Sequence, residues 1–164
     1  MDRALDSGSR GCGFDSRQAR QMDAMEKGKR IRIFTDGGSS GNPGKAAAGF
    51  VVYERDKLIA LHGESLGYAT NNFAEYRALE LALEWIKSRG LFVSQLDIFC
   101  DSELLVKQLT GEYKVRSGSL REIHQRIKEH FQAFKAVEVN WIPREKNRLA
   151  DWLVKSILKG EKAP

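Results

Sequence analysis

Residues 31–44 have the sequence IRIFTDGGSSGNPG, which joins an apolar strand to an aspartate and a run of glycines. The strand pattern covers Ile31 to Thr35, and Asp36 follows it directly. An aspartate before glycine commonly starts a turn, and for Asp36 taken alone this is the favoured explanation. Glycines also let a backbone approach a ligand closely, so the rest of the chain must decide between a turn and a binding site.

The elements on both sides of this stretch predict an α/β fold. Four more short apolar segments have the pattern of strands, at residues 48–53, 58–66, 96–100 and 137–142. Apolar positions three and four apart predict helices at residues 73–88, 105–111, 120–134 and 150–157. Asn71 or Asn72 is the expected N-cap of the first helix. Short turns predict an antiparallel meander of the first three strands, and helical crossovers make the last two parallel to the first.

A single folded domain of residues 30–159 is expected from the chain length of 164 residues, of which 41% are hydrophobic and 30% charged. Residues 1–29 are rich in Gly, Ser and Arg without apolar periodicity, so they are expected to be a disordered leader or an expression remnant, with Met25 as a plausible natural start. Residues 160–164 are expected to form a disordered tail. No apolar run could span a membrane and no secretory signal is present, so the predicted location is the cytoplasm.

The charged residues are distributed unevenly along the chain. Residues 31–106 hold 7 Lys and Arg against 10 Asp and Glu, whereas residues 107–159 hold 12 against 6. A polyanion would therefore approach from the C-terminal half.

Cys12 and Cys100 lie in very different settings, which indicates reduced thiols rather than a disulfide framework, and Cys100 is predicted to be a small core residue.

Four carboxylates are candidate site residues: Asp36, Glu75, Asp101 and Asp151. Each has a structural alternative. Asp101 could cap the helix that follows it, Glu75 could complete a capping box with Asn72 as the N-cap, and Asp151 could complement a helix dipole. Glu75 nevertheless shares a helix face with the apolar positions that must contact the sheet, so its carboxylate is expected to point inward.

Taken together, these carboxylates are expected to converge, because two lie at the ends of neighbouring strands and two at the sheet-facing starts of helices. Clustered carboxylates repel one another and are stable mainly with divalent cations bound, and hard oxygen ligands suit Mg²⁺ or Mn²⁺. Two such ions about 3.5–4 Å apart can activate a water and stabilise the leaving oxygen of a phosphoryl displacement. A phosphodiester is therefore the fitting substrate.

Four motifs resemble those of ribonuclease H type 1, in the same order and over roughly residues 30–158. They are IFTDGGSSGNPG at 33–44, TNNFAE at 70–75, FCDS at 99–102 and NRLAD at 147–151. The resemblance implies a ribonuclease H-like fold, with a five-stranded mixed sheet of order 3-2-1-4-5 flanked by helices. It also implies an endonuclease that hydrolyses the RNA strand of RNA/DNA hybrids with two metal ions held by Asp36, Glu75, Asp101 and Asp151. No obligatory protein partner is apparent from the sequence, so a monomer is expected.

The resemblance further implies a set of substrate contacts. The positions that match Ser39, Asn42, Asn71 and Asn72 line the groove that reads the RNA strand, and the position of Thr70 helps to hold a DNA phosphate. The chemistry agrees, since an Asn side chain can donate to and accept from a 2′-hydroxyl and a helix start offers free N–H groups to an anion. For each Asn, a role in a turn or a cap is the alternative.

Two departures place the chain nearer to the short, archaeal-like forms of this family. The long bacterial forms carry a basic helix where this chain has only GEYKVRSGS at 111–119, and they carry a His where the loop here reads PREKNR at 143–148. We predict that Arg144 takes a catalytic role by stabilising the phosphate, with a solvated surface charge as the alternative. Arg148 is the competitor, but Asn147 as N-cap would place it in the first helical turn, whereas Arg144 would lie in a free loop.

Two other functions compete with this one. A non-catalytic module that binds hybrids or acts as a scaffold would lack a carboxylate, and none is missing. A recombinase or exonuclease of the same superfamily would also use an acidic cluster, but the sequence context around Asp36 and Glu75 argues against it.

Overall fold

The computed structural model describes residues 15–26, 29–91 and 95–160. The strands are β1 Arg30–Gly41, β2 Gly44–Glu54, β3 Lys57–Ala69, β4 Gln95–Cys100 and β5 Ala136–Trp141. The helices are α1 Ser16–Glu26, α2 Asn71–Ser88, α3 Glu103–Leu109, α4 Gly118–Phe131 and α5 Arg148–Leu158. The strands form one sheet of order β3-β2-β1-β4-β5, antiparallel from β3 to β1 and parallel from β1 to β5. The predicted fold and strand order are confirmed.

Strand β1 is longer than predicted, because it continues through the glycine stretch. Asp36 pairs with Gly49 of β2, and the antiparallel pairing runs on to Gly41 and Gly44. The turn considered for Asp36 is therefore wrong. Small residues permit this extension because a helix lies close to the strand: a Cβ atom on Gly37 would lie 2.2 Å from the carbonyl carbon of Ala74 in α2.

The two faces of the sheet are covered differently. Helices α2 and α4 pack on one face and form the main core with apolar residues of β1, β2 and β4. Helix α5 packs on the other face over β1, β2 and β3, where a Cβ atom on Gly49 would lie 3.1 Å from the Cβ of Leu153. Cys100 is buried in the main core, as predicted.

Helix α1 is a correction to the expectation that residues 1–29 lack regular structure. Asp15 precedes this helix and caps it. Its carboxylate accepts a hydrogen bond from the Arg17 N–H at 2.9 Å, and its carbonyl accepts one from the Ala19 N–H at 3.1 Å. A capping aspartate and good helix formers favour a helix here without an apolar stripe. Residues 15–21 are exposed apart from the half-buried Ala19. Cys12 and the predicted tail beyond Gly160 lie outside the described residues.

The remaining boundaries differ from the predictions by a few residues. Helix α4 ends at Phe131 rather than at residue 134, and β5 begins at Ala136. Helix α3 covers Glu103–Leu109 rather than the predicted residues 105–111, and residues 110–117, which the structure describes in full, contain no helix. Among the described ranges, no helix combines the length and the hydropathy that crossing a membrane requires.

Candidate active site

Three carboxylates meet where β1, β4 and α2 come together. Asp36, Glu75 and Asp101 each offer one oxygen atom, and these three atoms lie within 4.8 Å of one another. The parallel pairing of Thr35 with Cys100 places Asp36, the next residue of β1, beside Asp101, the residue that follows β4. Asp36 is only 6% exposed. We call these three residues the acidic cluster.

The start of α2 places Glu75 in this cluster. Thr70 is the N-cap of the helix, and its Oγ1 accepts a hydrogen bond from the Phe73 N–H at 3.2 Å. The predicted N-cap at Asn71 or Asn72 is therefore wrong, because both residues lie inside the first turn of α2. The Asn71 N–H donates to Asn42 Oδ1 at 3.0 Å. Glu75 lies five residues beyond the cap instead of three, which excludes the capping-box explanation.

The acidic cluster is electrostatically unfavourable on its own. Burial, followed by the charges of Asp101, Glu75 and Asp151, raises the pKa of Asp36 to about 8. Burial also raises the pKa of Glu75 to about 7, although a hydrogen bond with the Ser102 side chain opposes this shift. Near neutral pH such a group of carboxylates favours a bound proton or a bound cation. Its oxygen donors and its charge therefore fit a divalent metal ion.

Asp151 lies at the edge of the acidic cluster rather than inside it. Its charge helps to raise the pKa of Asp36, yet its Oδ2 atom lies 2.7 Å from Lys155 Nζ, one helical turn further along α5. The structure thus brings three of the four predicted carboxylates together and places the fourth beside them, paired with a lysine.

Asn147 fixes the start of α5 to the cluster. It occupies the predicted N-cap position, but its side chain makes no capping hydrogen bond. Instead its Nδ2 donates to the carbonyl of Thr35 at 2.8 Å, and the residue is only 2% exposed. This bond ties the helix that bears Asp151 to the strand residue before Asp36. Sequence reasoning missed this role because the two partners lie 112 residues apart.

Arg144 reaches the acidic cluster, and Arg148 does not contact it. Arg144 Nε donates to Asp101 Oδ2 at 3.3 Å, and 71% of its side chain is exposed. Arg148 Nε donates to the backbone carbonyl of Glu145 at 3.2 Å. The prediction of a free loop around Arg144 is wrong, since Arg144–Lys146 form a 3-10 turn directly after Pro143, whose fixed φ suits the start of such a turn.

A set of polar groups lines the surface between the β1–β2 turn and the start of α2. Asn42 and Asn71 are joined by the hydrogen bond described above, and Thr70 caps the helix beside them. Within the described residues, Ser39 Oγ and Asn72 Oδ1 are buried without a hydrogen-bond partner. Ser102 was not singled out from the sequence. It caps α3 by accepting from the Leu105 N–H at 3.2 Å.

Comparison with known proteins gives consistent results. Residues 34–157 match the model of the family described as reverse transcriptase-like. Ribonuclease HI of Halobacterium salinarum is 37% identical over 134 residues, which are 81% of this chain and 66% of that protein. A bifunctional protein of Mycobacterium tuberculosis is 35% identical over 76% of this chain and 34% of its own length. The chain thus spans about two thirds of the first relative and about one third of the second.

Solved structures show the same relationship. The crystal structure of RNase H1 from Halobacterium salinarum has a TM-score of 0.75 and 37% identity, over 80% of this chain and 98% of that chain. LC11-RNase H1 in complex with an RNA/DNA hybrid has a TM-score of 0.75 and 36% identity, over 79% and 97% of the two chains. The chain therefore belongs to the reverse transcriptase-like family and, within it, to the ribonuclease H type 1 proteins.

Proposed function

We propose that this chain is an endonuclease that hydrolyses the RNA strand of RNA/DNA hybrids at the acidic cluster. The observation that carries the proposal is the convergence of three carboxylate oxygens within 4.8 Å, two of them on residues with raised pKa values. Buried carboxylates with raised pKa values destabilise the folded protein, and residues with strongly shifted pKa values are concentrated at catalytic sites. A relative with 36% identity has been solved with an RNA/DNA hybrid bound, which supports this choice of substrate.

The metal ligands in this proposal are Asp36, Glu75, Asp101 and Asp151, with two Mg²⁺ or Mn²⁺ ions in the presence of substrate. The chemistry that such ions supply when bound is activation of water and neutralisation of charge on the leaving oxygen. Asp36 and Glu75 are held in place by β1 and by the close approach of α2 at Gly37. Asp151 would have to exchange its contact with Lys155 for a metal contact.

Arg144 supplies fixed positive charge in this mechanism. Its guanidinium already lies beside Asp101 and is largely exposed, so it can contact a phosphate that enters the cluster. An arginine remains protonated at neutral pH, so it stabilises negative charge and does not act as a base. The solvated surface role considered from the sequence is less favoured, because a solvated arginine needs no carboxylate partner at the site.

The substrate contacts in this proposal are Ser39, Asn42, Asn71 and Asn72 for the RNA strand and Thr70 for a DNA phosphate. Ser39 Oγ and Asn72 Oδ1 have no hydrogen-bond partner among the described residues, so each side chain can turn toward a ligand without breaking a hydrogen bond, which supports this assignment. A buried polar atom without a partner costs about 1–3 kcal/mol, which a hydrogen bond from a ligand hydroxyl would offset. A ribose 2′-hydroxyl can donate that bond and a deoxyribose cannot.

A direct assay separates this proposal from its competitors. Labelled RNA/DNA hybrid, single-stranded RNA, duplex DNA and duplex RNA are incubated with and without Mg²⁺ or Mn²⁺. We expect internal cleavage of the RNA strand of the hybrid, and only with a divalent ion. Hybrid binding without cleavage would favour the scaffolding module, and cleavage of duplex DNA would favour a recombinase or exonuclease.

We also propose that the protein acts as a monomer in the cytoplasm. Light scattering of the purified chain tests whether it is a monomer.

A further inference from the structure

Asn147 makes three hydrogen bonds, each to a different part of the structure around the acidic cluster. Its backbone N–H donates to the carbonyl of Arg144 at 3.0 Å, within the 3-10 turn. Its carbonyl accepts from the Asp151 N–H at 3.1 Å, which is the first hydrogen bond of α5. Its side-chain Nδ2 donates to the carbonyl of Thr35, the residue before Asp36, at 2.8 Å. One residue therefore joins Arg144 and Asp151 to the strand that carries Asp36.

The conformation of Asn147 directs its side chain to the sheet rather than to its own helix. An N-cap residue usually has an extended backbone and accepts a hydrogen bond from the helix with its side chain. Thr70 and Ser102, the N-caps of α2 and α3, do both. Asn147 instead has φ −111° and ψ 36°, and its side chain makes no capping bond. Its amide group thus serves the contact with β1.

The bond between Asn147 and Thr35 is shielded from water. Asn147 is 2% exposed and Thr35 is 1% exposed. Breaking a buried hydrogen bond leaves the carbonyl without a donor, so this contact strongly disfavours movement of α5 away from the sheet. Thr35 lies in the central strand, paired with Phe50 of β2 on one side and with Cys100 of β4 on the other. The start of α5 is therefore fixed to a rigid element.

The side chains of Arg144 and Asp151 are held only weakly by their own ion pairs. Arg144 lies 3.3 Å from Asp101 and is 71% exposed, and Asp151 is paired with Lys155, whose side chain is 57% exposed. Exposed ion pairs contribute little to holding a side chain in one place. The positions of both groups relative to Asp36 therefore depend on the backbone, which Asn147 joins to β1.

We infer that Asn147 is a positioning residue, which acts on cleavage through Arg144 and Asp151. It holds the 3-10 turn and the first turn of α5 against β1, and so sets how far the guanidinium and the fourth carboxylate lie from Asp36. The inference rests on the proposed function, in which Arg144 stabilises a phosphate and Asp151 is a metal ligand.

The test variant is Asn147→Ser. Serine is a preferred N-cap residue, so α5 can still begin at this position, but the shorter side chain does not reach the Thr35 carbonyl. The matched control is Asn140→Ser in β5, because Asn140 Nδ2 also donates to a strand carbonyl, that of Ile98, at 3.3 Å. A displacement of about 1 Å can lower a rate by about 100-fold, so we expect kcat for the hybrid to fall about 10- to 100-fold in Asn147→Ser alone. KM should change little, because the proposed substrate contacts are kept.

A double-substitution cycle with Arg144→Ala separates positioning from a general loss of stability. If Asn147 acts through Arg144, part of the effect of Arg144→Ala is already lost in Asn147→Ser. The double variant should then keep a higher kcat than the product of the two single reductions predicts. In the cycle of Asn140→Ser with Arg144→Ala, the reductions should simply multiply. Multiplication in both cycles, measured well below the lowest Tm, would mean that Asn147 has a structural role only.

Hydrogen exchange in EDTA tests the same arrangement without cleavage. Mass spectrometry follows the backbone amides of residues 144–151, and we expect faster exchange in Asn147→Ser than in the original chain or in Asn140→Ser. If the original chain cuts no hybrid, the proposed function fails, while the exchange rates still decide whether Asn147 holds this segment. If the original chain cuts hybrid and Asn147→Ser matches Asn140→Ser in both kcat and exchange, the inference about Asn147 fails alone.

Discussion

Asp36 is the residue on which the acidic cluster depends most. It is the most buried of the clustered carboxylates and is repelled by Asp101, Glu75 and Asp151. We expect Asp36→Asn or Asp101→Asn to abolish hybrid cleavage while hybrid affinity in EDTA changes little, because the lost charge acts on the chemical step. Cleavage and anisotropy assays on the same preparations measure both quantities.

Asp56→Asn is the matched control for this prediction. Asp56 carries a fully exposed carboxylate in the turn between β2 and β3, where it pairs with Arg32 at 3.2 Å. Removing its charge should leave turnover unchanged. Near-normal turnover in Asp36→Asn would contradict the assignment of the cluster as the active site.

Arg144 gives a second prediction at the scale of single residues. Arg144→Ala should lower kcat more than it weakens binding, because the guanidinium lies beside Asp101 rather than out along the substrate groove. Arg144→Lys should recover only part of kcat, since an ammonium lacks the planar fork of donors. Arg148→Ala serves as the comparison and should mainly weaken binding. An unchanged kcat for Arg144→Ala at saturating hybrid would mean that Arg144 is a solvated surface charge without a role in catalysis.

The contact between β1 and α2 is the element-scale feature that creates the site. A Cβ atom on Gly37 would lie 2.2 Å from the carbonyl carbon of Ala74 and 2.3 Å from the nitrogen of Glu75, so no side chain fits there. We expect Gly37→Ala to push α2 away from β1, to destabilise the fold by about 1–3 kcal/mol and to lower cleavage at the same time. Thermal unfolding and cleavage assays measure the two effects.

Gly118→Ala provides the control for the Gly37 substitution. Gly118 is the first residue of α4, and a Cβ atom there would meet nothing within 4 Å. Alanine favours helices over glycine by up to about 1 kcal/mol, so Tm should stay the same or rise. A Gly37→Ala protein with the Tm and activity of the original chain would show that α2 has room to move at no cost.

The same elements show how far the sequence could predict this structure. Apolar periodicity was enough for the five strands of the sheet and for α2 to α5, because each must bury one face. The extension of β1 past Thr35 was not predicted, since glycines in a sequence favour turns and only the packed helices make a strand possible there. The N-cap at Thr70 was missed because three adjacent polar residues can all cap, and only the structure shows that the Thr70 side chain accepts the hydrogen bond from the Phe73 N–H.

Site residues were predicted from motifs, but their contacts depend on tertiary structure. The parallel pairing of β1 with β4 brings Asp36 and Asp101 together, and the close approach of α2 to β1 at Gly37 adds Glu75. The pairing of Asp151 with Lys155 is local, at a spacing of four residues, and could have been predicted from the sequence. The bond between Asn147 and Thr35 could not, because nothing in either local sequence indicates the partner.

For the molecule as a whole, the acidic cluster links stability to pH and to metal. The carboxyl groups of Asp36 and Glu75 have ordinary pKa values of 3.8 and 4.5, but in the folded chain these rise to about 8 and about 7, chiefly through burial. Between these values the folded protein holds more protons than the unfolded chain. The free energy of unfolding should therefore fall as the pH rises from about 4 to about 8. Glu80 and Asp97 have lowered pKa values despite burial, owing to arginine partners, so their contributions change below this window.

A divalent ion should reverse this loss, because it binds the ionised carboxylates and only the folded chain brings them together. We expect Tm in EDTA to fall between about pH 5 and about pH 8, and the rise in Tm on adding Mg²⁺ to be larger at the higher pH. Asp36→Asn should flatten the pH dependence in EDTA and reduce the Mg²⁺ effect, whereas Asp56→Asn should change neither. A Tm in EDTA that is constant or rises over this range, with an equal Mg²⁺ effect at both pH values, would mean that the three carboxylates are hydrated and independent in the folded protein.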